Sequence, residues 1–529
     1  MEPYCLTLSP DRWYRAGVAL ILVPLELAEA AALSESLKVA ASLRAHGADM
    51  IEWRLDAICG RDDAHSVTSA IIDAGPALLT CRSREEGGVY AGGDDDFAAW
   101  LQESAMLCLD GTWIDIEHAR WERSSVVRAG AQAVRAAGGS VLCSFHDFDG
   151  RPVDLRRRAA VMQELPVDAV KLVWQARTLR DCVDCRELLA ERVTPMIALC
   201  MGPAGIMTRV MAGAWGALAT FAAASDVLAT ASGQPTLDTL TRQYRFSQLG
   251  PETRIFGLLG DPIGKSPGFV MHNAAFDIAD FDGVYLPLPV AAGWESLKAT
   301  MATLLEDEGT NLGGVSITLP HKVDAIRLIK ARRGAVSATA AACHAVNTLT
   351  VDSSGAIAGD NTDGIGIIKP LKALGAVLMG GHAAVLGAGG AARAAVSALV
   401  GAGASVDVFN RTLETAGAMV SELSLGDCVR VNPLPRRYDI VVQATSVGMA
   451  NGPLPQGDAF EAVGLPPDVA IDSKSVVLET IYDPLETPFV LVAKHVGCGI
   501  ATGRDMWLAQ AAAQQAVWTG KTPSVDLWK

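Results

Sequence analysis

The sequence has neither a long apolar run nor a cluster of positive charge, and each absence excludes a class of protein. The apolar stretch near 211–224 has about 14 residues, whereas a helix needs about 20 to cross a bilayer. Acidic residues outnumber basic ones, 59 to 44, and the net charge of −15 does not suit a protein that binds phosphate backbones. Aromatic residues make up only 6% of the chain and form no stacked stripe. We therefore expect neither a membrane protein nor a nucleic-acid-binding protein.

Cysteine is present, but not in the pattern of a disulfide framework. Eleven cysteines are scattered over 529 residues, which favours a reducing compartment. "CVDC" at 182–185 is a lone C-x-x-C pair in a helical stretch, so a structural role is favoured, with metal or redox chemistry as the alternative. The first residues, "MEPYCLTLSPDRWYR", are neither a signal peptide nor a clear transit peptide. We expect either a mature form or a chain without targeting.

The first half repeats one unit, an apolar β-branched run followed by an amphipathic helical stretch. A chain of this length predicts two to four domains, and its hydrophobic content of 50% is typical of a well-packed globular protein. The runs are "GVALILV", "DMIEWRLD", "ALLTCRS", "TWIDIE", "SVLCSFHD", "VDAVKLVW" and "TPMIALCM", with a weaker one near 219–235. Strands that alternate with helices predict a parallel sheet. Eight such units predict a (β/α)8 barrel within residues 1–237.

Charged side chains interrupt or follow several of these strands. Glu52 and Arg54 share one face of a strand, Arg82 and His146 end two others, and Lys171 interrupts "DAVKLVW". The carboxyl ends of barrel strands form the active site in this fold, although ion pairing or a core histidine would also explain these residues. Lys171 is the sharpest candidate, because a buried lysine can lose its charge and become a Schiff-base nucleophile.

The same strands carry a family resemblance. "EWRLD", "CRSREEGG", "SFHDF", "VKL" and "GIMTR" stand in the order found in type I 3-dehydroquinate dehydratases, and the similarity spans most of 17–235. The resemblance implies that Lys171 forms an imine, that His146 transfers protons and that Glu52 pairs with His146. The residues implied to hold or enclose the substrate are Arg54, Arg82, Met201, Arg209, Phe221 and Gln234. Leu199 stands where a second methionine is often found, a mild change.

A linker rich in Pro, Gly and polar residues, 238–253, precedes a dinucleotide-binding pattern. In "HAAVLGAGGAARAAVSALVGAGASVDVFNRT", a strand, a glycine loop, a helix and a second strand follow one another. Such a loop lets the backbone approach a pyrophosphate at the helix N-terminus. The loop residues are Gly387, Ala388, Gly389, Gly390 and Ala391. The second strand ends in Asn410, Arg411 and Thr412, and Arg411 favours NADP because it can meet a 2′-phosphate; a solvated loop charge is the alternative.

Further motifs in this half resemble shikimate dehydrogenases across 254–529. They are "GGVSITLPHK", "CHAVNTLTV", "GDNTDG", "QATSVGM", "SVVLETIYDP" and "WLAQAAAQQAVWTG". The resemblance implies a substrate-binding catalytic domain at 254–366 and 500–529 around a Rossmann domain at 367–499, with Lys322 and Asp363 as the catalytic pair. Residues implied to bind substrate are Ser266, Thr318, Asn347, Tyr482, Gln510 and, more weakly, Gln514. Residues implied to lie at the cofactor are Thr445, Ser446, Gly448 and Gly503.

One loop departs from the shikimate dehydrogenase pattern. In "GDPIGKSPGFVMHN", 260–273, Lys265 replaces a histidine, Ser266 keeps the first serine, Gly268 replaces the second and Phe269 replaces a proline. Both serines usually hold the substrate carboxylate, so one donor is missing. The missing side chain would leave room for the extra hydroxyl that quinate carries on its tetrahedral carbon. Lys265 would compensate for the lost donor if it points inward, whereas Thr318 keeps the shikimate-type residue.

Three functions are consistent with these patterns. The first is a bifunctional enzyme, similar to the joined plant enzymes, that dehydrates 3-dehydroquinate through a Lys Schiff base and reduces 3-dehydroshikimate with NADPH. The second is a dehydrogenase half that oxidises quinate beside or instead of shikimate. The third is a metabolite sensor without turnover, against which the retained Lys171, His146, Lys322 and Asp363 argue. We expect a monomer with small-molecule substrates and no metal. The plant resemblance implies a plastid, with the cytoplasm as the alternative.

Overall fold

The computed structural model describes residues 19–107, 109–228, 232–263 and 266–524. The chain divides into two compact units. The first takes the residues up to Arg254 together with Asp282–Pro289 and Ala302–Asn311, and the second takes Ile255–Phe281, Val290–Met301 and the chain from Leu312 onward. Within the described ranges, no helix combines the length and the apolar character needed to span a bilayer.

Eight parallel strands form a barrel in the first unit. They are β1 Leu20–Glu26, β2 Met50–Arg54, β3 Ala77–Thr80, β4 Thr112–Glu117, β5 Ser140–Asp147, β6 Ala169–Gln175, β7 Met196–Met201 and β8 Ala219–Phe221. Their order is β7-β6-β5-β4-β3-β2-β1-β8. The ring is completed at Leu218, whose N–H donates to Met196 O (2.8 Å) and whose carbonyl accepts from Leu20 N–H (3.0 Å). The predicted barrel is therefore confirmed, its weak eighth strand included.

Helices alternate with these strands. They are Leu33–Ala45, Ala64–Asp73, Asp94–Ser104, His118–Arg123, Ser125–Ala136, Leu155–Gln163, Arg180–Ala190 and Ile206–Val210. Because the strands are covered on both faces, they read as continuous apolar runs rather than as alternating ones. Charged residues such as Glu52, Asp115 and Lys171, which are buried within these strands, are the exceptions that mark the barrel interior.

The C-x-x-C pair has an ordinary structural environment. Cys182 and Cys185 are fully buried in the helix Arg180–Ala190. Their thiols donate to Ala204 O (3.1 Å) and Ala198 O (2.8 Å). No group of three or more His, Cys, Asp or Glu side chains in the described residues has the arrangement of a metal site. These contacts support the structural interpretation of the pair.

The segment predicted as a linker is folded. It contains helical turns at Thr239–Gln243 and Phe246–Gln248. Leu240, Tyr244 and Phe246 are buried. A polar, Pro-containing sequence therefore still contributes apolar anchors to the first unit.

The second unit contains two sheets. The strands that follow the barrel are β9 Arg254–Gly260, β10 Gly283–Pro289, β11 Leu312–Ile317, β12 Ala335–Val336, β13 Thr348–Val351 and β14 Ile357–Asp360; of these, β10 belongs to the first unit. Five of them lie in the order β9-β11-β13-β14-β12, and β13 is antiparallel to both of its neighbours. The helices of this segment are Gly268–Ile278, Trp294–Glu306, Lys322–Ala331, Ala338–Cys343 and Asp363–Ala373.

The last sheet has the classical dinucleotide-binding topology. Its strands are β15 His382–Leu386, β16 Ser405–Phe409, β17 Val429–Val431, β18 Ile440–Gln443, β19 Val476–Glu479 and β20 Gly499–Ala501. They are parallel, in the order β17-β16-β15-β18-β19-β20, which is the doubly wound order 3-2-1-4-5-6. The helices are Gly390–Gly401, Leu413–Leu423, Ala459–Val463, Pro467–Ala470, Pro488–Val496 and Gly503–Thr519. Ligands of such sheets bind where the order reverses, here between β15 and β18.

Candidate active sites

A single cleft in the barrel collects the residues that the sequence singled out. It encloses about 600 Å³ of space, solvent at its mouth included, which is the size of a small-molecule site. The predicted residues that line it are Glu52, Arg54, Arg82, His146, Lys171, Leu199, Met201, Arg209, Phe221 and Gln234. Four further lining residues were not predicted: Glu86, Gly87, Phe148 and Val173.

Lys171 lies on the inner face of β6 and is almost completely buried. Its Nζ lies 3.8 Å from Glu52 Oε1 and 4.2 Å from the centre of the Phe221 ring. Burial lowers the pKa of Lys171, and the nearby Glu52 carboxylate only partly opposes this effect. The amine is thus prepared to lose its proton and act as a nucleophile.

His146 does not pair with Glu52, and that prediction is wrong. His146 Nδ1 bonds to Glu86 Oε2 at 2.8 Å, while Glu52 Oε1 accepts a hydrogen bond from Thr80 Oγ1 (3.0 Å). The reason is that the residues lie at different depths in the barrel. Ser144, two residues before His146 on β5, is the register partner of Lys171. His146 therefore lies one layer closer to the carboxyl ends of the strands, where the loop after β3 brings Glu86.

The Glu86–His146 pair is shaped by burial. Burial raises the pKa of Glu86 to about 8, which Glu117 and Asp115 reinforce and Arg82 opposes. Burial also lowers the pKa of His146 well below its usual range, with Arg82 and Lys171 acting in the same direction. The imidazole is therefore neutral, and Glu86 shares a proton with Nδ1. Such a pair can set which ring nitrogen serves as the base.

Arg82 is held by carboxylates beneath the cleft. Its guanidinium donates to Asp115 Oδ2 (2.7 Å), Glu86 Oε2 (3.1 Å) and Ser144 Oγ (2.9 Å). Burial would lower the pKa of Arg82, but Asp115, Glu86 and Glu117 together raise it above its ordinary value. Arg82 lies two residues beyond the end of β3 rather than on it. It anchors Glu86 as well as lining the cleft.

Arg209 differs from the other arginines of the barrel cleft in its contacts within the protein. It is buried on the short helix Ile206–Val210, and its Nε has no hydrogen-bond partner. Burial lowers the pKa of Arg209 to about 10, and no carboxylate of the described residues forms an ion pair with it. Arg54, in contrast, makes two hydrogen bonds to Asp56 (3.1 and 2.5 Å). Arg209 is thus suited to a carboxylate of the substrate.

In the second unit, Lys322 and Asp363 form a close ion pair. Lys322 begins the helix Lys322–Ala331, Asp363 begins the helix Asp363–Ala373, and Nζ lies 2.5 Å from Oδ2. Asp363 is buried, and the Lys322 side chain is 17% exposed. The ammonium therefore stays accessible from one side.

A network of amides supports this pair. Asn347 Nδ2 donates to Asp363 Oδ1 (2.8 Å) and lies 3.4 Å from Gln510 Oε1. Gln514 donates from Nε2 to Asn347 O and Thr348 Oγ1, both at 3.0 Å. Its Oε1 accepts from Ser316 Oγ at 3.0 Å. Gln514 has both N–H groups committed, so a substrate could use only its remaining lone pair.

The loop that departs from the family pattern lies at the start of a helix. Gly268 opens the helix Gly268–Ile278, and its N–H donates to Ser266 Oγ at 3.2 Å. Ser266 is buried and hydrogen-bonds Tyr482, which partly opposes the rise that burial causes in the pKa of Tyr482. Thr318 follows β11, and its backbone N–H donates to Leu259 O (2.9 Å). Lys265 lies outside the described residues.

The glycine loop after β15 fits a dinucleotide. Gly387 has φ +116°, and a Cβ there would lie 2.8 Å from Ala444 O, so this turn requires glycine. Around Gly389, nothing lies within 4 Å of such an added atom, which leaves the helix N-terminus open to a phosphate. A Cβ at Gly390 would lie 3.1 Å from Lys322 Cδ. The loop therefore touches the stem of the lysine. Ala388 and Ala391 are half-buried beside it.

The other predicted cofactor residues surround the same crevice. Arg411 and Thr412 are exposed after β16, and Asn410 Nδ2 donates to Thr412 O (2.8 Å). Thr445 and Ser446 follow β18, and Thr445 N–H donates to Gln443 Oε1 (2.5 Å). Gly448 is buried in the same loop, and Gly503 begins the helix Gly503–Thr519.

The structure shows a barrel with an interior lysine, followed by a lysine–aspartate pair and a Rossmann sheet. These features together define the class of protein. The type I 3-dehydroquinase family matches residues 21–251, and the shikimate dehydrogenase substrate-binding domain matches residues 258–349. A shikimate dehydrogenase (NADP⁺) of Geobacter sp. (strain M21) is 38% identical over 285 residues, which cover 51% of this chain and 92% of that protein. The chain belongs to the shikimate dehydrogenase family and carries a type I 3-dehydroquinase domain ahead of it.

Two relatives match along both halves. The bifunctional 3-dehydroquinate dehydratase/shikimate dehydrogenase, chloroplastic, of Arabidopsis thaliana is 28% identical over 509 residues, which cover 91% of this chain and 79% of that protein. The shikimate biosynthesis protein AroDE of Chlamydia pneumoniae is 27% identical over 488 residues, which cover 89% of this chain and 90% of that protein. The order of the two domains is thus shared with proteins of very different source.

Proposed function

We propose that this chain catalyses two successive reactions, dehydration of 3-dehydroquinate to 3-dehydroshikimate and reduction of 3-dehydroshikimate to shikimate. The observation that carries the proposal is the difference between its two lysines. Lys171 is buried with its nearest recorded carboxylate, Glu52, 3.8 Å away and beyond hydrogen-bond distance, whereas Lys322 is paired to Asp363 at 2.5 Å. The names of the relatives that span both halves support the same pair of activities.

In the first reaction, Lys171 Nζ attacks the ketone carbon, and loss of water gives an imine. The protonated imine acidifies the neighbouring C–H, because the electron pair of that bond can move toward nitrogen. His146 removes this proton and then delivers one to the departing hydroxyl, which leaves as water. Hydrolysis of the imine releases the product and restores Lys171. Arg209 holds the substrate carboxylate during these steps, since its guanidinium has no ion-pair partner among the described residues.

In the second reaction, Lys322 donates a proton to the ketone oxygen as that carbon is reduced. NADPH, when bound, supplies the hydride. Asp363 orients Lys322 through the 2.5 Å ion pair, and Asn347 fixes Asp363 from the other side. Ser266 and Tyr482 hold the carboxylate end of the substrate.

The residues present fit NADPH. The open space at Gly389 would receive the pyrophosphate at the N-terminus of the helix Gly390–Gly401. Arg411 is exposed in the turn after β16 and would meet the 2′-phosphate. Asn410 and Thr412 shape this turn.

Quinate is a second candidate substrate of the dehydrogenase half. The observation that favours it is Gly268, which has no side chain beside Ser266 at the start of the helix Gly268–Ile278. The tetrahedral carbon of quinate bears a hydroxyl next to its carboxylate, and the space of the missing serine would accept it. A single polar contact can decide such discrimination.

A substrate panel tests the proposal. Purified protein is given 3-dehydroquinate without cofactor, and then shikimate or quinate with NADP⁺ or NAD⁺, and product formation is followed by absorbance. We expect dehydration without cofactor and oxidation of shikimate with NADP⁺ preferred. Binding of these compounds without turnover would instead identify a sensor, and oxidation of quinate alone would reassign the second substrate.

The proposal includes a monomer in a plastid. The name of the Arabidopsis relative supports the location, while the bacterial relative from Chlamydia supports the cytoplasmic alternative. Imaging of the tagged protein in its source cell decides between them, and sedimentation of the purified protein tests the monomer.

A further inference from the structure

Asn432 occupies an unusual position next to the turn that carries Arg411. It follows β17 and has φ +40°, a left-handed conformation that asparagine tolerates better than most residues. Its backbone N–H donates to Val408 O (2.8 Å), which keeps it at the edge of β16. None of the motifs assigns it a role.

The side chain of Asn432 clamps the backbone of Asn410. Oδ1 accepts a hydrogen bond from Asn410 N–H at 3.1 Å, and Nδ2 donates to Asn410 O at 3.4 Å. The left-handed backbone of Asn432 is what aims the amide across to the neighbouring strand. One side chain therefore binds both polar groups of the residue that precedes Arg411.

A second amide continues the clamp. Asn410 Nδ2 donates to Thr412 O at 2.8 Å, which bends the chain around Arg411. The course of the backbone on both sides of Arg411 is thus set by two asparagines, and Arg411 itself remains exposed. A long, flexible arginine binds a phosphate more tightly when its backbone is held in place, because less conformational freedom is lost on binding.

We propose that Asn432 is a positioning residue for the choice of NADP over NAD, acting through Arg411. The inference rests on the proposed NADP specificity of the dehydrogenase half. Asn432 does not need to touch the cofactor. It fixes the direction from which Arg411 reaches the 2′-phosphate, so its loss should weaken NADP and leave NAD, which lacks that phosphate, almost unchanged.

The test is the substitution Asn432→Gly, with binding of NADP⁺ and NAD⁺ measured by titration calorimetry. Glycine adopts φ +40° without strain, so this change removes the clamp and keeps the backbone conformation. We expect the Kd for NADP⁺ to rise about fivefold or more and that for NAD⁺ to change less than about twofold. Equal changes for both cofactors, or no change, would overturn the inference.

Two further variants separate positioning from a general loss of structure. Ser424→Gly is the matched control, because Ser424 is another left-handed residue, φ +52°, whose Oγ donates to a nearby carbonyl, Ser421 O; it should leave the NADP/NAD ratio unchanged. In an Arg411→Ala background, Asn432→Gly should cause no further selective loss, since the two residues act as one unit. An additive loss would mean that Asn432 acts independently of Arg411 and would contradict the proposal.

The outcomes also distinguish this inference from the proposed function. If the wild-type protein binds both cofactors equally, NADP specificity itself is wrong. If the wild type prefers NADP⁺ and Asn432→Gly keeps that preference, only the role of Asn432 is wrong. Should Asn432→Gly fail to fold, Asn432→Gln retains the amide but displaces it by one methylene, and the same ratio decides.

Discussion

Two lysines in one chain differ in burial and in the distance to the nearest carboxylate. Lys171 lies inside the barrel with 6% of its side chain exposed, and the nearby carboxylate of Glu52 is 3.8 Å away, beyond hydrogen-bond distance. Lys322 is 17% exposed and donates to Asp363 at 2.5 Å. An amine that must attack carbon has to be free of its proton, whereas an amine that must protonate oxygen has to hold one. In the proposed reactions, the more distant carboxylate suits the nucleophilic lysine and the close one suits the proton-donating lysine.

The surroundings extend this contrast. The barrel site is dense in charge: Arg82 alone meets three carboxylates. The dehydrogenase site uses one ion pair with neutral amides around it. Burial and the surrounding charges shift the pKa values of Glu86, His146 and Lys171 from their ordinary values, as the several proton transfers of the proposed dehydration require. In the proposed reduction only one proton is transferred, and the neutral amide of Asn347 holds Asp363, the partner of the lysine, without supplying a competing charge.

Of the substitutions that test this comparison, Lys171→Ala is expected to have the largest effect on activity. We expect dehydratase activity to fall by about 10⁴-fold or more, because the nucleophile is lost, while shikimate oxidation is unchanged. Borohydride added with 3-dehydroquinate should leave one covalent adduct on Lys171 in the wild type and none in the variant, as mass spectrometry would show. Lys171→Arg, which keeps the charge, should be equally inactive. An active wild type without an adduct would rule out the imine.

Lys322→Ala breaks the other side of the comparison. Hydride transfer should fall by about 10²–10⁴-fold, the usual contribution of a placed proton donor, while dehydration of 3-dehydroquinate stays at the wild-type rate. Both activities are measured on the same preparation, so the dehydratase serves as the folding control. A parallel loss of both rates would show that the two sites are not energetically independent.

Glu86→Gln tests the barrel site, because it removes the ionisable carboxyl at this position and keeps an oxygen that accepts a hydrogen bond. Burial raises the pKa of Glu86 to about 8, so in the wild type the carboxyl keeps its proton below that pH. The protonated carboxyl then donates to His146 Nδ1 instead of accepting a hydrogen bond from Nδ1–H. Dehydratase kcat/KM should therefore rise with pH through about 8. In Glu86→Gln the amide oxygen accepts from Nδ1–H at every pH, so this rise should disappear, with a loss of about 10–100-fold at high pH. An unchanged pH profile would exclude Glu86 from proton transfer.

The same substitution has a consequence for stability. The pKa of Glu86 is about 8 in the folded protein against an ordinary value of 4.5, so the folded state binds this proton more tightly than the unfolded chain. Stability contributed by the protonated carboxyl is full below about pH 4.5 and is lost as pH rises through 8. Glu86→Gln should lack that loss, which thermal denaturation between pH 6 and 9 would detect.

Arg411→Ala tests the cofactor side of the dehydrogenase site. A charge-assisted contact to the 2′-phosphate is removed, so the KM for NADP⁺ should rise about 10–100-fold and that for NAD⁺ should barely change. Steady-state kinetics with both cofactors measures the split. Equal effects would make Arg411 a solvated surface charge.

The smallest expected effect belongs to Gly268→Ser. Restoring a hydroxyl beside Ser266 should shift the ratio of kcat/KM for shikimate over quinate by about 10-fold toward shikimate, since one polar contact to a carboxylate is regained. The measurement is the same pair of assays on wild type and variant. No turnover of quinate by the wild type with either cofactor would end this hypothesis.

Local patterns predicted the elements well where burial is two-sided. "TWIDIE" and "SVLCSFHD" coincide with β4 and β5, because apolar runs between polar boundaries leave little freedom in where a strand begins or ends. The (β/α)8 and Rossmann folds followed from alternation and from the glycine loop. Lys171 could be singled out because a charged residue inside an apolar run is costly to bury and is seldom found there for structural reasons alone.

Contacts between loops could not be predicted in this way. Glu52 and His146 lie on strands of known order, but their different depths in the barrel are set by register, which one sequence does not reveal. Glu86 was missed although "CRSREEGG" was recognised, because the position of a loop carboxylate depends on how the loop folds back. Its signal was weak: an acid four residues after Arg82, at the active-site end of a strand.

The contact between Gly390 and the stem of Lys322 has an evolutionary consequence. A Cβ at position 390 would lie 3.1 Å from Cδ and 3.3 Å from Cβ of Lys322, so a larger residue there would crowd the stem of the lysine that pairs with Asp363. A substitution at this position would therefore disturb the lysine as well as the glycine loop. Descendants of this chain are thus expected to accept another residue at position 390 only where the stem of Lys322 can shift by a few tenths of an ångström.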